Sequence, residues 1–410
     1  MVKRILFISN GHGEDLIAAR LAATLAGDPD LTIKALAIVG VGAAYREAGI
    51  PLILEGVNMP SGGFVRNGLR NLILDLKGGL WDLTRRQVRA LRQAHAETDL
   101  AVCVGDSYLN FLAGVYLKRP VIFLPTAKSD YVSAHWRLER WLMRRVCIRI
   151  FPRDALTAQS LAGYGLPAEF AGNVMMDSLD FRGPDLKGPP GEWTVAVLPG
   201  SRQEAYENLE DIALVILEFE RLLKQEGAAK AGRCLAARYL VALSGGLDMD
   251  TIFKRLGAMG WRSAAPAPGE IERGITGHLD YLNEVSLDPI RITFAKGRFA
   301  DILAACDGVI GLAGTANEQA VGLGKPVVAF VGRGTQYTPK FVNTQKKLLG
   351  DSISVVDREP GVVARELFQI LTDGPRRERM SRIGRDRMGG PGGVLRITAE
   401  IKRIAKQLGP

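Results

Sequence analysis

The sequence predicts an α/β protein made of two Rossmann-like, doubly wound domains that face a cleft. Short apolar runs rich in β-branched residues alternate with helix-length segments along most of the chain. This alternation indicates parallel sheets that are covered by helices on both faces. The 410 residues include 47 glycines, which suits many tight turns between strands and helices, and the length is sufficient for two or three domains.

The strands are predicted where the short apolar runs end in glycine, proline or polar residues. In chain order they are Arg4–Ile8, Thr32–Ala37, Leu100–Val104, Val121–Leu124, Arg149–Phe151, Thr194–Leu198, Tyr239–Leu243, Arg291–Phe294, Gly308–Gly311, Val327–Val331 and Ser354–Val356. Helices are predicted between most of these strands, for example at Asp15–Leu25 and Leu209–Gln225. The last segment, Val394–Leu408, predicts a basic amphipathic helix.

The boundary between the domains is predicted at Gly183 to Trp193, which contains three prolines and three glycines. We therefore expect an N-terminal domain at 1–180, a linker at 181–192 and a C-terminal domain at 193–390. The helix within 391–410 is in a position to pack back on the N-terminal domain. A second irregular stretch, Ser263 to Gly274, is interpreted as a surface insertion.

Composition and charge narrow the possible partners. The apolar runs are shorter than the roughly 20 residues that span a bilayer, and no signal-peptide pattern opens the sequence, so we expect a cytoplasmic protein. The net charge of +9 favours an anionic partner, but no nucleic-acid-binding signature is present. The cysteines lack metal-ligand spacing and are expected to be buried thiols; they are Cys103, Cys147, Cys234 and Cys306.

The first candidate site is the turn after the first predicted strand, which consists of Asn10, Gly11, His12 and Gly13. It is not a dinucleotide fingerprint, because Leu16 stands where the third glycine belongs. The start of the following helix favours a neutral His12 that accepts a proton, whereas Glu14 and Asp15 favour the charged form. His12 is either a general base or a turn residue bonded to the backbone.

The second candidate site follows the strand that ends at Val104, where Gly105, Asp106 and Ser107 come directly before a helical pattern. Ligands of open α/β sheets bind at the carboxyl ends of the strands, so Asp106 is a candidate general base. The alternative is that Asp106 or Ser107 caps the helix.

Two further turns are candidate sites for a phosphate group. Gly200, Ser201 and Arg202 follow Pro199 at the end of a predicted strand, and a small-residue loop with an arginine can bind a diphosphate. The later turn precedes a helix expected to begin near Ala316; its candidate residues are Gly314, Thr315, Ala316, Asn317, Glu318 and Gln319. Glu318 or Gln319 is expected to bind hydroxyl groups. The alternatives are an ordinary turn with a solvated arginine and a helix capped by Thr315.

Asp248 and Asp250 form an Asp-x-Asp pair after another predicted strand. Two acidic residues in a loop are more often ordinary polar loop residues than metal ligands, so no metal is expected.

Four blocks resemble lipid-A-disaccharide synthase and its related proteins: "VGDSYLNF" (Val104–Phe111), "AGNVMMD" (Ala171–Asp177), "LPGSR" (Leu198–Arg202) and "AGTANEQAVGLGKPVV" (Ala313–Val328). The resemblance covers most of the chain apart from the region Ser263–Asp288. It implies a GT-B fold whose N-terminal domain binds an acceptor and whose C-terminal domain binds a nucleotide sugar. It further implies an inverting transfer from a UDP-sugar to a lipid-linked acceptor, without a bound metal or cofactor.

The resemblance also implies roles for single residues. Asp106 matches a proposed catalytic aspartate, and Arg202 matches the arginine near the diphosphate. Three positions depart from the family pattern. The family's first turn has no histidine, Glu204 comes one residue early after "PGSR", and Gln319 stands where the family has glutamate, directly after Glu318.

A membrane surface is predicted at Val57 to Arg92, where apolar and basic residues mix. Its apolar residues are Phe64, Leu69, Leu72, Ile73, Leu76, Leu80 and Trp81, and its basic residues are Arg66, Arg70, Lys77, Arg85, Arg86 and Arg89. A second basic and aromatic stretch, His135 to Arg145, extends this prediction to the inner face of an anionic membrane. The alternative is an ordinary pair of amphipathic helices packed on the sheet.

Two other functions remain compatible with the same blocks. "VGDSYLNFLAG" and "NEQAVGLGKPVV" also resemble UDP-N-acetylglucosamine 2-epimerases, which need no lipophilic acceptor surface. A non-catalytic nucleotide-sugar-binding protein would bind the donor without turnover. The sequence does not define the donor sugar, the acceptor lipid or the oligomeric state.

Overall fold

The computed structural model describes residues 2–56, 80–229, 236–264 and 282–409. The chain forms two compact units. The first unit consists of residues 1–178 together with 390–410, and the second consists of residues 179–389. The first unit contains a five-stranded sheet and the second an eight-stranded sheet. The predicted α/β fold class with doubly wound sheets is confirmed.

The strands that the structure describes are β1 (Lys3–Ser9), β2 (Leu31–Ala37), β3 (Leu100–Val104), β4 (Val121–Leu124), β5 (Cys147–Ile150), β6 (Glu192–Leu198), β7 (Ala236–Leu243), β8 (Arg262–Ala264), β9 (Leu282–Leu287), β10 (Ile290–Lys296), β11 (Gly308–Gly311), β12 (Val327–Ala329) and β13 (Ile353–Val355). The described α-helices, numbered in the same way, are α1 (His12–Ala26), α2 (Ala43–Glu47), α3 (Leu80–Ala94), α4 (Ser107–Leu112), α5 (Arg137–Val146), α6 (Ala155–Gly163), α7 (Glu204–Ala229), α8 (Met249–Ala258), α9 (Phe299–Ala305), α10 (Thr315–Gly322), α11 (Pro339–Leu349), α12 (Pro360–Thr372), α13 (Gly374–Met388) and α14 (Gly393–Gln407).

The sheet of the first unit is parallel throughout, with the strand order β2-β1-β3-β4-β5. Every residue of β3 and β4 is buried, because helices cover both faces of a parallel sheet and its strands therefore read as continuous apolar runs. Phe7 and Val102 belong to the core on one face, whereas Ile8 and Phe123 belong to the core on the other.

Helix α14 belongs to the first unit, although it lies at the C-terminal end of the chain. Its start is held by the carboxylate of Asp177, which accepts the N–H groups of Gly392 at 2.5 Å and Val394 at 2.8 Å. Ile397 and Ile401 extend the same apolar core as Phe7. The described helix thus contributes its apolar face to the core of the N-terminal part of the chain.

The sheet of the second unit has the strand order β13-β12-β11-β6-β7-β10-β9-β8. The strands from β13 to β10 are parallel, but β9 and β8 run antiparallel at the edge. The prediction that Ser263–Gly274 is only a surface insertion was wrong at its start, because β8 includes Ser263 and Ala264. These edge strands are short and polar, so no apolar run marks them. Residues 265–281 lie outside the described residues.

The predicted linker is bound to the second unit. The N–H groups of Arg182 and Gly183 donate to Oδ1 of Asp301 at 2.8 and 3.1 Å, and Asp301 also pairs with Arg298 at 2.7 Å. Further along, Arg238 donates to the carbonyl of Leu186 at 2.8 Å. The chain therefore passes from one unit to the other before the stretch rich in proline and glycine, between residues 178 and 179.

Candidate active site

Both sheets have a topological switch point, and the predicted site residues follow the strands that flank it. In the first unit β1 lies between β2 and β3, and the last residues of β1 and β3, Ser9 and Val104, are register partners. In the second unit β6 lies between β7 and β11, and Leu198 pairs with Gly311 at the ends of β6 and β11. Open α/β sheets bind ligands at such points, beyond the carboxyl ends of the strands.

A cavity of about 510 Å³ lies at the switch point of the second unit. It is formed by the turns after β6, β7, β11 and β12 and by the starts of the helices that follow. Its lining residues are Leu198, Pro199, Gly200, Ser201, Arg202, Glu204, Ala205, Asn208, Ala242, Leu243, Ser244, Phe299, Leu312, Ala313, Gly314, Thr315, Ala316, Gln319, Arg333, Gln336, Tyr337 and Phe341. Its volume lies within the range of small-molecule and cofactor sites.

The turn after β6 is held open by its backbone. Gly200 has a φ of +107°, a conformation that a residue with a side chain adopts only under strain. Asn208 on α7 donates from Nδ2 to the carbonyl of Pro199 at 2.9 Å and so fixes the turn from below. Ser201 and Arg202 are exposed and line the cavity.

Helix α10 begins at Thr315, one residue before the predicted start, and its N-cap is Gly314. No side chain accepts a hydrogen bond at this cap, so Thr315 does not cap the helix. The N–H groups of the first turn have no partner within the helix, and they carry the positive end of its dipole. Thr315 and Ala316 line the cavity, which makes this helix start suitable for an anionic group.

The residues at the start of α10 that were predicted to bind the sugar donor do not all face the cavity. Asn317 is fully buried, and its Nδ2 lies within hydrogen-bond distance of the carbonyl of Gly311, Oη of Tyr337 and Oε1 of Gln345, at 3.0 to 3.1 Å. Asn317 is therefore a core residue, and its prediction as a ligand contact was wrong. Of the neighbouring pair, Gln319 lines the cavity and Glu318 is not among the lining residues.

The loop after β12 contributes residues that the sequence analysis did not identify: Arg333, Gln336 and Tyr337 line the same cavity. Arg333 is held by both oxygens of Asp211 on α7, with Nε at 3.0 Å and Nη2 at 2.8 Å, and its N–H donates to Asn208. The local signal was an arginine between two glycines in a turn between a strand and a helix. This pattern is similar to that of the other turns, but it lies outside the four sequence blocks that carry the family resemblance.

In the first unit, Asp106 is the N-cap of α4, and its Oδ1 accepts the N–H of Tyr108 at 2.9 Å. Asp106 thus caps the helix, which was the alternative to a role as general base. Asp106 is nevertheless partly exposed. The N–H of Asp106 donates to Oδ1 of Asn10 at 3.4 Å, a contact that joins the turn after β3 to the turn after β1. Asp106 and the first turn therefore lie together at the switch point.

His12 is the first residue of α1, and it is exposed. Its imidazole lies over Gly40, which follows β2 and has a φ of +75°; a Cβ on Gly40 would come within 2.8 Å of Cε1 of His12. Gly11 is the N-cap and supplies no side-chain acceptor, and the space beside Gly13 is open. Glycine at position 40 thus allows His12 to rest against the backbone beside the exposed start of α1.

The Asp-x-Asp pair contributes to local structure. Asp248 is the N-cap of α8 and accepts bonds from the N–H and Oγ1 of Thr251 at 2.9 and 2.6 Å. Within the described ranges no group of three or more His, Cys, Asp or Glu side chains is arranged to hold a metal ion. Cys103, Cys147 and Cys306 are buried free thiols, and Cys234 lies outside the described residues.

Aromatic and basic side chains are exposed on the first unit. Trp136, Leu138 and Trp141 at α5 are 71%, 72% and 54% exposed, and Arg137, Arg144 and Arg145 are exposed beside them on the same helix. Trp81 on α3 is 60% exposed, with the guanidinium of Arg85 5.1 Å from its ring centre. Residues 57–79 of the predicted membrane surface lie outside the described residues. In the parts of the chain that the structure describes, the helices are too short or too polar to cross a membrane.

Comparisons with known proteins show the fold. No protein-family model and no curated protein matches the chain. Among solved structures, it is similar to CalG4, the calicheamicin glycosyltransferase, with 16% identity, complete coverage of both chains and a TM-score of 0.58. It is also similar to MurG from Acinetobacter baumannii, with 15% identity, coverage of 98% and 99%, and a TM-score of 0.55. A UDP-GlcNAc 2-epimerase from Neisseria meningitidis bound to UDP-GlcNAc gives 15% identity, coverage of 98% and 100%, and a TM-score of 0.53. The chain has the GT-B fold, as its resemblance implied.

Proposed function

We propose that this chain is an inverting glycosyltransferase that moves a sugar from a UDP-sugar to a membrane lipid or lipid-linked acceptor. The observation that carries the proposal is the cavity at the switch point of the second unit, which combines an uncapped helix start with Arg202 and Arg333. This combination suits the diphosphate of a nucleotide sugar. The solved structure of a UDP-GlcNAc 2-epimerase bound to UDP-GlcNAc, which has a similar fold, supports the same class of donor.

The diphosphate leaves in this reaction, so its developing negative charge is where fixed donors lower the barrier most. We assign Arg202, Arg333 and the N–H groups at the start of α10 to this task. Asp211 holds Arg333 and also pairs with Arg358 at 3.2 Å, which fixes the arginine before the ligand arrives. These positive groups are the reason for proposing a transfer that needs no metal, and activity is accordingly expected to persist in EDTA.

The acceptor hydroxyl attacks the anomeric carbon from the side opposite the leaving group, which inverts the configuration. A base must take the hydroxyl proton during this attack. We assign His12 or Asp106 as that base, because both lie at the switch point of the first unit, where Asn10 joins their turns. His12 is exposed, whereas Asp106 already uses one oxygen to cap α4.

A lipid acceptor fits the exposed aromatic and basic residues of α5 and the Trp81–Arg85 pair on α3. Tryptophan and arginine together suit the interface of an anionic membrane. We therefore propose a cytoplasmic protein that binds peripherally to the inner face of the cytoplasmic membrane.

In vesicles with anionic lipid, the double variant Arg144→Gln, Arg145→Gln should bind more weakly, by roughly fivefold per arginine, at about 1 kcal/mol each. The control is Leu395→Ala, which removes an apolar side chain that is 70% exposed on α14. Equal binding to anionic and zwitterionic vesicles would contradict this part of the proposal.

An epimerase is the second candidate, because solved 2-epimerases have similar folds. A transfer assay separates the candidates. Radiolabelled UDP-glucose, UDP-galactose, UDP-N-acetylglucosamine and acylated UDP-glucosamine are each offered with total membrane lipid to wild type, His12→Ala and Asp106→Ala. A labelled lipid that is lost in one of the variants is the expected result. A 2-epimer formed without lipid would replace the transferase by an epimerase, and UDP-sugar binding without any product would favour a non-catalytic binding protein.

A further inference from the structure

The carboxylate of Asp15 is buried beneath the turn that carries His12. Asp15 lies three residues after His12 in the first turn of α1, on the same face of the helix, and it is 2% exposed. Its N–H donates to the carbonyl of Gly11 at 2.8 Å. The carboxylate and the imidazole are therefore neighbours in one helical turn, one inside the unit and one at its surface.

A chain of hydroxyl groups fixes this carboxylate. Ser9, the last residue of β1, lies with Oγ 2.5 Å from Oδ1 of Asp15 and 2.6 Å from Oη of Tyr45 on α2. An ionised carboxylate only accepts hydrogen bonds, so Ser9 donates to Asp15 and the fully buried Tyr45 donates to Ser9. The arrangement orients one carboxylate oxygen with two side chains from two other elements.

Ionisation of this buried carboxylate lowers the stability of the fold. Burial raises the pKa of Asp15 to about 6, although the bond from Ser9 and the charge of His12 act in the opposite direction. The titratable groups that face Asp15 are His12 and Glu14 on its own helix and Tyr45 on α2, whose pKa burial raises far above its usual range. In the described part of the chain, no lysine or arginine forms an ion pair with Asp15. A buried acid without such a partner destabilises the protein where it is ionised.

We propose that Asp15 is a positioning residue for His12, with Ser9 and Tyr45 holding its carboxylate. The proposal rests on the proposed function. The proton of the acceptor hydroxyl moves to a ring nitrogen of His12, the hydroxyl oxygen bonds to the anomeric carbon, and the bonding electrons of the broken C–O bond leave with the diphosphate. The start of α1 disfavours the resulting imidazolium, and the negative charge of Asp15 offsets that effect.

The first test is Asp15→Asn, which keeps the shape and the acceptor for Ser9 but removes the charge. The folded-state pKa of Asp15 is raised, so wild type loses stability relative to the variant as the pH rises from about 4 to about 6. Asp15→Asn should therefore unfold at a higher temperature than wild type at pH 8, and the difference should shrink towards pH 5. The variant should lose about tenfold in kcat at pH 7.5, which corresponds to about 1.4 kcal/mol less stabilisation of the transition state. KM for the UDP-sugar should be unchanged, because the imidazolium that Asp15 stabilises forms only after the substrate has bound.

Ser9→Ala gives an independent signature. The bond from Ser9 stabilises the ionised form of Asp15, so its removal raises the pKa of Asp15 further. Activity of Ser9→Ala should be lower than that of wild type near neutral pH and should recover at higher pH, where Asp15 is ionised again. Glu47→Gln is the control, because it removes an exposed carboxylate of the same unit, on α2, that is not one of the groups facing Asp15. It should alter neither the unfolding temperature nor the pH profile to a similar extent.

A direct titration of Asp15 separates this inference from the proposed function. NMR can follow the carboxyl carbon of Asp15 in wild type and in His12→Ala without any substrate. The midpoint should lie at higher pH in His12→Ala, because the charge of His12 favours the ionised carboxylate. An unchanged midpoint, or a lower unfolding temperature of Asp15→Asn at pH 8, would overturn the inference even if transferase activity is found. A shifted midpoint in a protein without transferase activity would sustain the coupling and reject the proposed function.

Discussion

The two switch points differ in where their charged side chains lie. In the second unit Arg202 and Arg333 face the cavity, helix α10 starts there without a side-chain cap, and the acid that holds Arg333 lies on α7 behind it. In the first unit the acids are close to the strand ends, with Asp106 capping α4 and Asp15 buried under His12. The second arrangement suits the binding of an anion, and the first suits the movement of a proton. The same topology therefore presents different charged groups at its two switch points.

The sharpest test of this comparison is to remove each candidate base separately. His12→Ala or Asp106→Asn should lower kcat by about 10²- to 10⁴-fold, the usual contribution of a general base. Asp106→Asn is preferred to alanine, because asparagine caps a helix as well as aspartate does and so spares α4. The measurement is steady-state transfer from the UDP-sugar, together with UDP affinity by calorimetry, which should remain unchanged.

The matched control is His95→Ala, which removes an exposed histidine that precedes β3 and bonds the carbonyl of Leu117. If both candidate variants retain transfer within tenfold, the proton chemistry does not belong to the first switch point. If only His12→Ala loses activity, Asp106 serves as a helix cap and His12 as the base.

The second test removes positive charge from the second switch point. Arg202→Ala or Arg333→Ala should weaken UDP binding by roughly 10- to 100-fold, since a hydrogen bond between charged groups contributes about 1.5–3 kcal/mol. Binding of uridine, which has no phosphate, should stay within twofold. Arg221→Ala is the control, because this arginine is 68% exposed on α7 of the same unit and pairs with Glu218. Parallel losses for UDP and uridine would place the arginines away from the diphosphate.

Local sequence patterns predicted four of the turns at the two switch points. Each combines an apolar strand, a glycine and a helical pattern within a short stretch, so β1, β3, β6 and β11 could be identified with their turns. Arg333 could not, because the partner that fixes it, Asp211, lies 122 residues away in the chain. The burial of the Asn317 side chain was also not predictable. A helix of eight residues gives too little periodicity to tell its buried face from its exposed face.

The third test concerns buried polar groups, which have different partners in the two units. The Nδ2 of Asn317 has three partners and supports the cavity, whereas among the described residues no lysine or arginine forms an ion pair with the carboxylate of Asp15. Asn317→Leu should lower the free energy of unfolding by about 1–3 kcal/mol, because it leaves Tyr337 and Gln345 with fewer bonds. Chemical denaturation measures this loss, and Asn343→Leu, at an exposed position on α11, is the control with an expected change near zero. A gain of stability in Asn317→Leu would show that the amide is as costly as the buried acid.

The smallest expected effect concerns Gln319, at the position where the resemblance leads one to expect glutamate. Gln319 lines the cavity and is 7% exposed. In Gln319→Glu the new carboxylate is a stronger acceptor for ribose hydroxyls, but it also repels the diphosphate. Affinity for uridine should therefore rise by about threefold, while affinity for UDP should change by less than about twofold. Calorimetry with both ligands measures the difference, and Gln369→Glu, exposed on α12, is the control. Equal gains for both ligands would mean that the diphosphate lies beyond the reach of position 319, nearer the arginines, and would separate the hydroxyl-binding and phosphate-binding parts of the cavity.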